Sequence, residues 1–116
     1  MPNQKSNKYD LEERTAKFGE DIIRFCKKVP RSLINDPLVN QLVRAGTSVG
    51  ANYSEADDAE SKIDFRHKIG ICKKESKHFI RMMVVAVSGL KEDAKPLWQE
   101  AKEINLIFNT IYKKVS

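Results

Sequence analysis

Sulfur, rigid backbone and long apolar runs are all scarce in this chain of 116 residues. There are two cysteines, four prolines, five glycines and one tryptophan. Cys26 and Cys72 stand alone, without a CxxC pair or a ligand-rich neighbourhood. That speaks against a disulfide framework or a zinc site and for buried free thiols. The longest unbroken apolar run is Met82 to Val87, far short of the roughly 20 residues that span a bilayer, so no membrane association is expected. The opening MPNQKSNK has no apolar core of a secretory signal, and the expected location is the cytoplasm. Alternation with period two is also missing, which leaves no room for a sheet.

The remainder is ordinary soluble material, 41% hydrophobic and 32% charged. A length of 116 residues suits one domain. Four segments repeat apolar residues at spacings of three and four. The first runs Leu11, Thr15, Phe18, Ile22, Phe25, Val29, and the second Leu38, Leu42, Ala45, Val49, Asn52, Ala56. The third runs Phe65, Ile69, Cys72, Ser76, Phe79, Met83, Ala86, and the fourth Leu97, Ala101, Ile104, Phe108, Ile111, Val115. A 3.5-residue repeat keeps one seam facing its partners, so each segment reads as a bundle helix.

Punctuation agrees with that reading. Pro30 closes the first helix, Asp36-Pro37 offers an N-cap and a first-position proline, and Ser61 can cap the third. Gly89 is the expected stop of the third helix, and Asp93 with Pro96 the expected first turn of the fourth. The predicted fold is all-α: a left-handed, up-down-up-down antiparallel four-helix bundle over residues 9–116, after a flexible segment 1–8.

The second helix contains the least ordinary stretch, RAGTSVGANYSEA, from Arg44 to Ala56. Gly46 and Gly50, four apart, let another backbone come close, either inside the bundle or from another subunit. Each costs a helix roughly 0.5–1 kcal/mol against alanine. The other flank holds Arg44, Ser48 and Glu55, with Asn52 almost on the core seam. A buried unpaired amide costs about 1–3 kcal/mol, so Asn52 needs partners. Together with Glu75 of the third helix, a suitable mate for Arg44, these residues form an expected polar network that sets register.

That stretch resembles the signature of the bacterial four helix bundle proteins, also known as 23S rRNA-intervening sequence proteins because some are encoded within such insertions. The resemblance extends through Phe65, His67-Lys68, Ile69 and Lys74-Glu75, and departs where this chain has His78 and Met82-Met83. It implies a homo-oligomer, a pentamer, with an RNA association, and it carries over no catalytic residue. A similar architecture occurs in accessory proteins of diversity-generating retroelements, which work with nucleic acid and a reverse transcriptase.

The net charge of +5 is not evenly spread. Between Asp10 and Val29 five bases meet five acids. The third helix sets Lys62, Arg66, Lys68, Lys73, Lys74, Lys77 and Arg81 against only Asp64 and Glu75. On a helical wheel Arg66, Lys73, Lys74, Lys77 and Arg81 share the solvent side with His67 and His78. Such a face is either simply solvated or a site for phosphates, and few aromatics lie among these cations to stack on bases. The expected mode is backbone binding to structured RNA.

Catalytic signals are weak. Glu75-Ser-Lys-His78 is a single Glu-x-x-His, whereas a di-iron bundle needs two such pairs and further carboxylates. No nucleophile with a base and no glycine-rich phosphate loop is present. A non-enzymatic protein without cofactor or metal is expected. Ile71, Met82 and Val85 point away from the third seam and would suit a subunit interface, and Leu106 points outward on the fourth. The alternative function is an oligomeric scaffold that recruits a protein partner such as a polymerase.

Overall fold

A computed structural model describes the backbone of residues 3–56 and 62–113, and the side chains of residues 11–53, 67–108 and 110. It contains α1 (Asn3–Lys27), α2 (Asn35–Ala56), α3 (Lys62–Ala86) and α4 (Lys91–Lys113). Each helix packs on its chain neighbours, and α4 closes the set against α1. The result is an all-α four-helix bundle. Among the described residues no helix is long and apolar enough to cross a membrane.

The heptad positions make the core. All six of the α1 seam are buried, from Leu11 to Val29. So are Leu42, Ala45 and Val49 on α2, and Leu97, Ala101, Ile104 and Phe108 on α4. Ala56, Phe65, Ile111 and Val115 lie outside the described side chains. On α3 the seam drifts. Ile80, not Phe79, is the fully buried residue after Ser76, and Ala86 is exposed while Val87 packs on the core. A straight helix repeats every 3.6 residues, so a seam held at 3.5 rotates off its partners unless a four-step is added. Ser76 to Ile80 is that step. Buried hydroxyls stay satisfied locally: Thr15 donates to the Leu11 carbonyl at 2.8 Å and Ser76 to the Cys72 carbonyl at 2.8 Å.

Helix ends differ from the expected punctuation in three places. The backbone of α1 is helical from Asn3, inside the segment 1–8 that the sequence sets apart. At the start of α2 the cap is not Asp36. Ser32 Oγ accepts the Asn35 N–H at 2.8 Å, and Asn35 Nδ2 donates to the Pro30 carbonyl at 2.9 Å. Asp36 instead receives Arg31 Nε at 3.0 Å. Gly89 does not supply a left-handed stop, since no described glycine has positive φ. Here α3 ends at Ala86, a 3-10 turn covers Ser88–Leu90, and α4 begins at once at Lys91. Pro96 therefore falls inside α4 rather than in its first turn, and it faces solvent, where water can serve the carbonyl it leaves unpaired. The expected cap Ser61 lies outside the described residues.

The approach of α1 to α2 is set by small residues. A Cβ on Gly46 would stand 2.8 Å from Ile22 Cγ1 and 3.1 Å from Ile22 Cβ. A Cβ on Gly50 would touch the Thr15 and Ala16 backbone at 3.4–3.5 Å. Gly19 mirrors them from α1, meeting the Thr47 Cα at 3.4 Å. As the chain rises from Thr15 to Ile22, its contacts on α2 fall from Gly50 to Gly46, so the two helices cross antiparallel. The two glycines of α2 thus serve packing inside one chain, with Gly19 as an unforeseen third.

Candidate nucleic-acid interface

Every ion pair between described residues draws its cation from α1, from the connection into α2, or from α4. Arg14 grips Glu100 through Nε at 3.0 Å and Nη2 at 2.8 Å, and reaches Glu103 at 3.2 Å. Lys17 and Arg24 meet Asp21 at 3.0 Å, Lys28 meets Asp93 at 3.2 Å, and Lys95 meets Glu92 at 3.0 Å. The Glu100 carboxylate raises the Arg14 pKa above its ordinary value against the opposing cost of burial. Glu103 is held below the usual carboxylate range by the Gln99 amide first and Arg14 second.

Helix α3, the most basic of the four, contributes no cation to these pairs. Among the described residues no carboxylate lies within ion-pair reach of Lys73, Lys74, Lys77 or Arg81. Arg66, the fifth expected member, lies outside the described side chains. Nor do the four form one solvated stripe. Lys74 and Arg81 are exposed, with His67 and His78 also at the surface, but Lys73 and Lys77 are half-buried toward α4. Lys73 lines a small gap together with Ile69 and the α4 residues Ala101 and Ile104. Burial lowers its pKa, with the Lys77 and Lys74 charges adding to the effect. Lys77 Nζ stands over the Trp98 ring, 5.0 Å from its centroid, a cation–π contact.

The aromatic that the α3 sequence lacks is therefore supplied by α4. Trp98 follows the core residue Leu97 and faces the α3 flank. Folding α3 and α4 about the tight turn at Ser88–Leu90 would have set Trp98 opposite the Lys77–Ile80 region by counting alone. Lys91 and Lys95 join the same side, lining with Arg81 an open groove whose apolar wall includes Val84 and Trp98.

The expected polar network does not form as one unit among the described residues. Ser48 Oγ turns back to the Arg44 carbonyl at 2.6 Å, and Asn52 Nδ2 donates to Cys72 Sγ at 3.2 Å. Arg44 and Glu75 are both exposed and unjoined, and Glu55 lies outside the described side chains. Exposure explains the difference: neither charge leaves water, so neither has to find the other. The Asn52–Cys72 bond does tie α2 to α3 at the core edge. Burial pushes the Cys26 thiol up to about 11 and raises Cys72 as well, so both remain protonated at neutral pH. Of the expected interface residues, Val85 and Ile71 are exposed and Met82 is half-buried. Among the described residues no three His, Cys, Asp or Glu side chains converge as metal ligands would.

The family model described as 23S rRNA-intervening sequence protein matches residues 7–110. The chain belongs to that family. The match runs from within α1 through nearly all of α4, so it takes in every helix of this intervening-sequence protein. No curated protein and no solved structure matches the chain.

Proposed function

We propose that this intervening-sequence protein is a non-enzymatic, cytoplasmic homo-oligomer, a pentamer of left-handed up-down-up-down bundles, that associates with structured RNA through α3 and the adjoining flank of α4. One observation carries the reading: among the described residues Lys73, Lys74, Lys77 and Arg81 stand without carboxylate partners, while Arg14, Lys17 and Arg24 of α1 are paired. An unpaired cation keeps its full field for a phosphate, and neutralising several phosphates releases counterions and gives salt-sensitive affinity. Repetition of the face around a ring strengthens the attraction. Exposed Ile71 and Leu106 supply apolar surface for subunit contact, while Val85 lies on the groove between α3 and α4.

The test is the triple variant Lys74→Glu, Lys77→Glu, Arg81→Glu in a gel-shift assay on a structured rRNA fragment at low salt. Lys73 is left in place because it is half-buried. The variant is expected to keep its helical circular dichroism and lose most of its RNA affinity. Full affinity in a folded triple variant would move the RNA site elsewhere.

A second reading, a scaffold for a protein partner, is favoured by one feature. Leu33 is 96% exposed and Ile34 71% exposed at the α1–α2 connection, an apolar pair turned to solvent. On this reading a polymerase-like partner is retained after nuclease treatment and lost with Leu33→Ser, Ile34→Ser.

A further inference from the structure

The groove between the end of α3 and the start of α4 has a volume of about 410 Å³, within the range of small-ligand clefts. Its wall is aliphatic, from Ile80, Val84 and Ala94, and one side is the indole of Trp98. Its mouth is cationic. Arg81 and Lys91 have no ion pair among the described residues, Lys95 is held by Glu92, and Lys77 covers the indole.

An open, largely apolar groove edged by an indole, with free cations at its mouth, complements a flat group with anionic attachments. We infer that the groove takes an unpaired nucleobase, stacked on Trp98, while Lys77, Arg81 and Lys91 hold the phosphates on either side of it. This rests on the RNA reading above and narrows it: the preferred RNA contains a bulge, loop or single-stranded end rather than unbroken duplex. Unpaired bases are the part of RNA that an aromatic side chain can reach, because a duplex keeps its bases stacked on each other. A second copy of the same face is disfavoured as the occupant, since it would bring Arg81, Lys91 and Lys77 against their own like charges. Lys77 over the ring is consistent with base binding, as cation and base can share one indole and the ammonium then neighbours the nucleotide's phosphate.

Trp98 is the only tryptophan in the chain, so intrinsic fluorescence reports on this groove. The full chain is titrated at low salt with an unstructured single-stranded oligonucleotide and, separately, with a blunt duplex of equal length. Binding is followed in parallel by anisotropy of labelled RNA. Expected is strong quenching by the single strand and little by the duplex. Trp98→Leu should weaken the single strand roughly 5- to 150-fold, the span of one lost base stack, and change duplex binding by less than about twofold. Because Trp98 is half-buried, Val85→Glu provides a second variant. Val85 is 76% exposed on the groove, and an acid there should also weaken the single strand without a cost to folding.

Equal binding of both RNAs with unchanged tryptophan emission would overturn the inference and leave the α3 reading standing. No binding of either RNA would overturn both. A fluorescence shift on adding laurate but not RNA, or on raising protein concentration alone, would reassign the groove to an acyl chain or a second copy and overturn it as well.

Discussion

The two sides of this bundle are built on different terms. On the α1 side Gly19, Gly46 and Gly50 bring α1 and α2 into backbone contact, and Arg14 binds two carboxylates of α4. On the α3 side Lys73 is half-buried toward α4, Lys77 stands over an indole, and Arg81 and Lys91 edge an open groove. The first side satisfies most of its own described charges. The second leaves charge and apolar surface unmatched. The contrast teaches where to look for function in such a bundle: at the seam that the fold itself does not complete.

The comparison breaks most sharply at the glycines. Gly46→Val should cost about 2–3 kcal/mol in chemical denaturation. The new side chain meets Ile22 near its backbone, and Ile22 is fully buried with nowhere to move. Gly70 on α3 has nothing within 4 Å of an added Cβ, so Gly70→Ala should stabilise by about 0.5–1 kcal/mol. A stable Gly46→Val would show that the α1–α2 seam is looser than described.

A smaller effect sharpens the charge contrast. Arg14→Ala should lose about 1 kcal/mol, because it leaves Glu100 and Glu103 facing each other. Lys73→Met should do the reverse, stabilising the fold by roughly 0.5 kcal/mol while weakening RNA binding. Lys73's ammonium is held below its ordinary pKa by burial and like charges, so its charge costs the folded state and its removal is relieving. Thermal melts of both variants beside one RNA titration decide the matter.

The smallest effect is a pH slope. Cys26 ionises near 9.0 when unfolded and at about 11 when folded. Its contribution is therefore complete below pH 9 and is lost as pH climbs through about 11, because only the unfolded thiol sheds its proton in that window. Cys26→Ala should flatten the stability curve between those values. The Arg31–Asp36 pair at the other extreme of pH lies at the surface and should leave little trace.

Much of the bundle was legible because its seams are periodic: α1 kept every expected core position from Leu11 to Val29. The glycine pair on α2 was legible for the same reason, as spacing places Gly46 and Gly50 on one flank. What escaped was whatever two helices make together. The Ile80 drift depends on how α3 turns against its neighbours, and the cap by Ser32 depends on a loop path that Asp36-Pro37 does not reveal. A one-helix wheel set Lys73 and Lys77 in solvent because it holds no α4. The same wheel found no aromatic among the cations, since Trp98 arrives from the next helix. Arg44 and Glu75 were paired on paper by charge, yet water already satisfies both.

The central claim, that the unpaired cations of α3 meet RNA phosphates, is tested most directly by affinity for a structured rRNA fragment across a salt series. With about five phosphates neutralised, the log–log slope of the unmodified protein should lie at roughly −4 to −5 on duplex. The Lys74, Lys77, Arg81 charge-reversal variant should be shallower by about three, one per lost contact. No binding at low salt, or the same slope in both proteins, would contradict the claim and leave the basic face of α3 as solvated surface.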